Sequence, residues 1–210
     1  QPGFTLIASG VYQPDVVWKK QSDCMPDCLK WIKDSVTAID PVSQTVSTAR
    51  TGSIKYDFLV LTPGLQLDWT QVEGITQATL GQGNANCIYD FEGAQKTWKA
   101  LQEFSKTGGR GVFTDTFTKH KCGGAPKKIC LLTEHYNRKQ GTRDKVTLDY
   151  FTAEKALYDV PFYTPRLEQI FKEYGLSNNP KVIESGYIFP TLKGEGRRVI
   201  RQQVRRDSLY

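Results

Sequence analysis

The feature that most constrains this chain is a repeated change of hydrophobic period between residues 111 and 186. The stretches GVFTDTF, DKVTLDYFTA and KVIESG are rich in β-branched and aromatic residues, as strands are. Between them, APKKICLLTEHYNRK and TPRLEQIFKEYG have apolar residues at helical spacing and a proline near the first turn. This alternation predicts a βαβαβ unit with a parallel sheet, which is one half of a doubly wound nucleotide-binding fold of the α/β class.

The residues before this unit follow other patterns. FTLIA and SIKYDFLVLTPG have strand composition, and the apolar run at 58–61 predicts a strand buried on both faces. CMPDCLKWIKDSVTAIDPVSQTVST alternates in its second half, which indicates further short strands. From Asp90 to Ser105 the period becomes helical, and KTGGRG ends the predicted helix. The apolar positions of this helix are Phe91, Ala94, Trp98, Leu101 and Phe104.

Charge and cysteine content limit the possible environments. The net charge is +6, and residues 187–210 contribute most of it, with six basic and two acidic side chains. No apolar run is long enough to predict a membrane span. The five cysteines are an odd number, which favours a reducing compartment over a disulfide framework. The chain begins with Gln1 and lacks a secretory signal pattern, so we expect a processed chain or a part of a longer protein.

Cys122 lies in the stretch KHKCGGAPKKIC, at the first βα turn, where nucleotide phosphates usually bind. Only Gly123 and Gly124 are present there, without the third glycine and the acidic ribose ligand of a dinucleotide site, so the turn is expected to do something other than hold NAD. A helix N-terminus lowers a thiol's pKa, and inward-pointing lysines would add to this effect. Cys122 is therefore either a reactive thiol or a small residue in a tight turn. The lysines concerned are Lys119, Lys121, Lys127 and Lys128.

The other candidate ligands give weaker signals. Cys130 lies on an apolar stretch of the second predicted helix, so we expect it in the core. Cys24 and Cys28 have C-x3-C spacing, but a zinc site would need ligands from elsewhere, and two unpaired thiols are the better interpretation. His135 is expected to be an exposed helix residue. GQGN at 81–84 lacks the lysine and hydroxyl of a P-loop and is interpreted as a plain turn.

Several stretches together resemble the central part of the sulfide:quinone oxidoreductases, especially the mitochondrial type. They are QPGFTLIASG, YDFLVLTPGLQLDW, EGAQKTWKALQEF, KCGGAPKKI and RDKVTLDYFTAEKALYDVPFY, in the family's order, from about residue 1 to 186. The resemblance implies a fold like that of the FAD/NAD(P)-linked disulfide reductases. It would consist of a partial flavin-binding domain at 1–107, a Rossmann-like second domain at 108–186 and a basic tail at 187–210.

The resemblance also implies a site. Cys122 matches one of two redox-active cysteines beside FAD, at which sulfide forms a persulfide while two electrons pass through the flavin to a membrane quinone. Thr62, Pro63 and Gly64 match the turn beside the flavin, although Pro63 departs from the usual residue. The family's glycine fingerprint for the FAD phosphates precedes the matched region, and the second redox cysteine follows it. We therefore expect FAD to bind this chain weakly or not at all.

Two functions follow from these observations. The first is an FAD-dependent sulfide:quinone oxidoreductase, with sulfide and quinone as substrates. The second is a non-catalytic accessory subunit of a mitochondrial assembly, in which other subunits cover the apolar surface of an incomplete flavin domain. Either function would place the chain in the mitochondrion, peripheral to the inner membrane. The basic tail is expected to contact an anionic surface of RNA, lipid or protein through Arg197, Arg198, Arg201, Arg205 and Arg206.

Overall fold

The computed structural model describes residues 2–69, 72, 75–82, 84–115 and 122–179. These residues form two compact units. One contains the described residues of 1–17 and of 67–210, and the other contains residues 18–66. The predicted tail and the predicted strand KVIESG lie outside the described residues.

A three-stranded parallel sheet forms the centre of the larger unit. Its strands are β4 (Gly109–Asp115), β5 (Val146–Thr152) and β6 (Ser177–Asn179), in the order β4-β5-β6. Helix α4 (Gly124–Lys139) follows β4, and helix α5 (Thr164–Glu173) follows β5, with a short 3-10 turn at Arg143–Lys145. The predicted βαβαβ order is therefore present among the described residues, with β6 as its third strand.

The middle strand of this sheet carries the core. Six of the seven residues of β5 are buried, because strands flank it on both sides and helices cover its faces. Tyr150 and Phe171 meet edge to face, with ring centroids 5.7 Å apart. Cys130 of α4 is fully buried in the same cluster, which confirms the prediction that it belongs to the core. The other buried members of this cluster are Val146, Leu148, Leu157 and Leu176.

Helix α3 (Phe91–Thr107) lies where the apolar spacing predicts it. Asp90 caps its N-terminus by accepting a hydrogen bond from the Gly93 N–H at 2.5 Å. Gly108 ends it with φ +75°, and its N–H donates to the Phe104 carbonyl at 2.8 Å. The predicted termination in KTGGRG is confirmed, because glycine takes this left-handed conformation without a Cβ clash.

The stretch FTLIA is a helix, so the strand prediction for it was wrong. Helix α1 (Gly3–Ala8) packs on α3, and a short helix α2 (Pro14–Val17) follows it. Ile7 and Ala8 are buried in a second cluster with Ala94 of α3 and Ile129 of α4. A five-residue apolar run is compatible with either structure, and here its contacts with two helices determine the outcome.

The smaller unit contains an antiparallel three-stranded sheet. After a 3-10 turn at Gln21–Cys24, the strands are β1 (Val36–Asp40), β2 (Thr45–Thr48) and β3 (Gly52–Lys55), in chain order. The alternating half of the segment from Cys24 to Thr48 is therefore strand, as predicted. Asp34 stands before β1 and accepts hydrogen bonds from the N–H groups of Arg50 and Thr51 at 2.9 and 2.7 Å.

The predicted buried strand at residues 58–61 is not present. Strand β3 ends at Lys55, and the following residues have no regular structure. Phe58 is 94% exposed and Val60 is 82% exposed, so this apolar run lies open to solvent. A strand needs neighbours that supply hydrogen bonds and cover its faces, and no described residue pairs with this run. Its composition was typical of a buried strand, but the partners are not among the described residues.

Candidate functional site around Cys122

Cys122 lies immediately before the N-terminus of α4, at the carboxyl end of the parallel sheet. Gly123 is the N-cap residue of α4, and because it has no side chain it leaves the turn uncovered. Cys122 is exposed and is not in a disulfide. Its carbonyl accepts a hydrogen bond from the Ala125 N–H at 3.2 Å, which joins the residue to the first turn of the helix. The structure therefore presents this thiol to solvent at the first βα turn, where the sequence predicts it.

Gly124 separates the Cys122 thiol from a tyrosine hydroxyl. A Cβ placed on Gly124 would lie 3.9 Å from Cys122 Sγ and 3.8 Å from Tyr158 Oη. Tyr158 also lines an open depression in the loop between β5 and α5. The lack of a side chain at Gly124 leaves this side of the sulfur approachable. The lining residues of the depression are Ala153, Glu154, Lys155, Ala156, Tyr158, Asp159, Pro161, Thr164 and Pro165.

The Lys127 ammonium does not point toward the Cys122 thiol. This lysine therefore does not meet the condition under which it would favour a thiolate. Its ammonium is buried and pairs with the carboxylate of Asp115, the last residue of β4. It also lies 5.4 Å from the ring centroid of Tyr150. A pair with an adjacent carboxylate neutralises the charge that would otherwise stabilise a thiolate. Lys128 is exposed, and Lys119 and Lys121 lie outside the described residues.

Asp115, Lys127 and Tyr150 form a buried polar cluster at the end of β4. Tyr150 Oη donates to Asp115 Oδ2 at 2.9 Å, while Asp115 Oδ1 has no hydrogen-bond partner among the described residues. Burial and the negative charge of Asp115 both raise the pKa of the Tyr150 phenol above its ordinary value. The phenol therefore remains a hydrogen-bond donor at neutral pH. The cluster links the end of the strand to the first turn of α4 across the segment that contains Cys122.

The other cysteines and histidine occupy different environments. Burial raises the pKa of the Cys130 thiol well above its ordinary value, and Asp149 and Glu134 add to this effect. Cys24 and Cys28 are exposed and not in disulfides, and His135 is exposed on α4, as expected. Among the described residues, no group of three or more potential ligands is arranged to hold a metal. Cys122 is therefore the accessible thiol of the βαβαβ unit, and Cys130 is shielded.

The segment expected to contact a flavin lies in the smaller unit. Thr62, Pro63 and Gly64 are exposed and have no regular structure. Gly64 has φ +77°, and a Cβ built on it would meet no atom within 4 Å. A flavin-binding turn needs backbone donors and apolar walls that enclose the cofactor, and this open segment supplies neither. Among the described residues, this segment therefore forms no enclosed site for FAD.

Tyr89 is the site residue that sequence reasoning missed. It lies between the GQGN turn and α3 in the sequence. Its hydroxyl donates a hydrogen bond to the Cys122 carbonyl at 3.0 Å. Burial raises the pKa of its phenol, and the nearby Cys122, Cys87 and Asp115 contribute to the same effect. Nothing in the hydrophobic period marks this residue, because the contact joins positions 33 residues apart.

The chain is similar to proteins of one enzyme family. It is 36% identical to the mitochondrial sulfide:quinone oxidoreductase of Dictyostelium discoideum over 179 residues, which is 85% of this chain and 39% of the relative. It is 32% identical to the mitochondrial sulfide:quinone oxidoreductase of Mus musculus over 181 residues, which is 86% of this chain and 40% of the relative. No family model matches the chain.

Solved structures show the same fold. The sulfide:quinone oxidoreductase of Aquifex aeolicus superposes with a TM-score of 0.63 at 24% identity, covering 96% of this chain and 48% of that structure. A chain of the mitochondrial ATP synthase of Tetrahymena thermophila superposes with a TM-score of 0.56 at 13% identity, covering 85% and 45% respectively. The fold is therefore an α/β portion of the FAD/NAD(P)-dependent oxidoreductase fold, with helices on a parallel sheet.

These similarities extend over most of the chain but less than half of each relative. The chain spans 39% of the Dictyostelium protein and 40% of the mouse protein. The chain is therefore a homologue of the sulfide:quinone oxidoreductases and corresponds to a part of their length.

Proposed function

We propose that this chain is part of a flavoprotein of the sulfide:quinone oxidoreductase type, in which Cys122 carries the sulfur taken from sulfide. The observation that carries the proposal is an exposed thiol at the first βα turn of a chain 36% identical to such an enzyme. Addition of one sulfur atom from HS⁻ to the Cys122 thiol releases two electrons and one proton. This step needs a two-electron acceptor, and the family resemblance implies a flavin for that role in the complete enzyme, with a quinone as the final acceptor.

The residues of this chain have specific tasks in that step. The N–H groups at the start of α4 and the helix dipole favour negative charge at the position of the thiol. Gly123 and Gly124 keep the approach open for a small anion such as hydrosulfide. Cys130 takes no part, since burial keeps its thiol protonated. The Asp115–Lys127 pair contributes through the geometry of the helix start.

The test combines flavin content with turnover. We predict that the purified chain retains FAD weakly or not at all, because the segment at 62–64 is open to solvent. Absorbance in the flavin bands after gel filtration measures retention. Sulfide-dependent reduction of a soluble quinone analogue with added FAD, compared with Cys122→Ser, measures turnover. Turnover in the unaltered chain at saturating FAD that is lost in Cys122→Ser supports the proposal. Measurable turnover that is equal in both chains refutes the role of Cys122.

A second function has its own support. The chain of the Tetrahymena mitochondrial ATP synthase shows that this fold also occurs in a large mitochondrial assembly. The exposed apolar run at residues 58–61 is the kind of surface that a subunit contact covers. The alternative is therefore a non-catalytic accessory subunit located in the mitochondrion, at the inner membrane. Co-purification in a complex of defined size that has no sulfide-dependent turnover favours this function.

A further inference from the structure

The hydroxyl of Tyr89 makes a long-range contact with the backbone of the Cys122 turn. It donates to the Cys122 carbonyl at 3.0 Å, and the Ala125 N–H donates to the same oxygen at 3.2 Å. One carbonyl therefore joins the turn to the first residues of α4 and to the segment before α3. A peptide group held by two donors has little freedom to rotate, so the Cα–Cβ bond of Cys122 has a defined direction.

Tyr89 is itself firmly placed. Ile88 before it is buried in the cluster of α1, α3 and α4, and Asp90 after it is the N-cap of α3. The Tyr89 N–H donates to Cys87 Sγ at 3.5 Å, and its ring packs against the same cluster. The residue is thus fixed on both sides along the chain. A hydroxyl presented from such a segment can hold a neighbouring turn in place.

The Tyr89 hydroxyl remains a hydrogen-bond donor to the Cys122 carbonyl over a wide pH range. Burial raises the pKa of the Tyr89 phenol above its ordinary value, so the hydroxyl stays protonated at neutral and moderately alkaline pH. The carbonyl of Cys122 can only accept. The hydrogen bond therefore persists over the pH range in which a thiol ionises, and it does not compete with the thiol for the proton.

We propose that Tyr89 is the positioning residue of the Cys122 thiol, fixing the peptide group that aims Sγ past Gly124 toward solvent. This inference rests on the proposed function, because it assigns Tyr89 to the same thiol. It goes beyond that function by adding a residue that acts through the peptide group of Cys122. The contact gives the segment before α3 a role in positioning the turn that follows β4.

Two variants separate this role from general stability. Tyr89→Phe removes the hydroxyl and keeps the ring. Tyr158→Phe is the matched control, because its hydroxyl also lies close to Gly124 and makes no hydrogen bond among the described residues. Thermal unfolding establishes that each variant folds. The rate of alkylation of Cys122 by iodoacetamide at neutral pH is then measured by peptide mapping, with the exposed Cys24 of the same chain as internal reference.

We expect Tyr89→Phe to slow alkylation of Cys122 relative to Cys24 by about three- to tenfold, the scale of one hydrogen bond. Hydrogen exchange at the Ala125 amide should quicken in the same variant, and Tyr158→Phe should change neither quantity. An unchanged or faster Cys122 rate in Tyr89→Phe overturns the inference. The proposed function is tested separately in the unaltered chain, and it fails if Cys122 reacts no faster than Cys24 there.

Discussion

Lys127 and Asp115 form a buried ion pair close to the residue that carries the proposed chemistry. Both side chains are 5% exposed or less, and Tyr150 completes the group through its hydroxyl. Removing two charges from water costs free energy that their attraction only partly returns, so such a pair is weak evidence for stability by itself. It does restrict geometry, because the partners meet only when the end of β4 and the first turn of α4 are correctly placed.

The first prediction concerns this pair. Lys127→Met leaves the Asp115 carboxylate buried without its cation, so we expect the free energy of unfolding to fall by about 3–5 kcal/mol. Asp115→Asn combined with Lys127→Met removes both charges and should be less destabilised than Lys127→Met alone. Lys128→Met, the exposed neighbour on the same helix, should stay within about 0.5 kcal/mol. Urea unfolding followed by circular dichroism gives all three values, and equal losses for Lys127→Met and Lys128→Met would contradict the prediction.

Asp34 has a comparable structural role in the smaller unit, where backbone hydrogen bonds accompany an ion pair with Arg50. Desolvation opposes ionisation of its carboxyl group, yet hydrogen bonds from backbone N–H groups hold its pKa far below the ordinary value of 3.8. The donors are Thr51, Arg50 and Ser35. Hydrogen bonds from Ser43 and Val42 lower the pKa of Asp40 in the same sheet. The turns at both ends of β1 therefore depend on ionised carboxylates.

At the scale of elements, the second prediction is a pH dependence of the antiparallel sheet. A group whose pKa is lower in the folded state contributes stability above its unfolded pKa, and this contribution is lost as the pH falls. We expect the protection factors for hydrogen exchange in β1–β3 to fall as the pH drops below about 4. Asp34→Asn should loosen the sheet already at neutral pH and flatten this dependence, and Asp40→Asn should have a smaller effect. If the pH dependence of exchange is the same in Asp34→Asn and in the unaltered chain, Asp34 is not the group responsible for it.

The elements also show how far sequence reasoning extends. The change of period predicted α3, α4, α5 and the strands β4 and β5, because each of these buries one continuous face. It predicted Cys122 at the first βα turn for the same reason. It was wrong for α1 and for residues 58–61, because a short apolar run takes its structure from neighbours far along the chain. The direction of Lys127 and the contact of Tyr89 depend on spatial proximity that no local pattern records.

At the scale of the whole molecule, no helix of the described residues is long and apolar enough to cross a membrane. Contact with a membrane or another anionic surface is instead assigned to the basic tail at 187–210, which lies outside the described residues and stays a prediction. Five arginines within ten residues attract phosphate and carboxylate groups through paired N–H donors. Such attraction weakens as salt concentration rises.

The third prediction therefore removes the tail. Truncation after Gly186 should weaken binding to vesicles of anionic phospholipid, and the difference should be largest at low salt. Replacement of the five arginines by lysine keeps the charge and should preserve most of the binding to vesicles. Co-sedimentation at several ionic strengths measures this. Equal binding of the full and truncated chains at every salt concentration would show that the tail is not the contact.

The central claim is that Cys122 carries sulfur, and transfer from inorganic polysulfide tests it most directly. A polysulfide donates a sulfur atom to a thiolate and is shortened by one atom, so the reaction needs neither flavin nor oxidant. Mass spectrometry of the cysteine peptides then shows which thiol gains one sulfur atom. We predict preferential addition at Cys122 over the exposed Cys24 and Cys28, and no addition at buried Cys130. Equal addition at all exposed cysteines, or none at Cys122, would contradict the account.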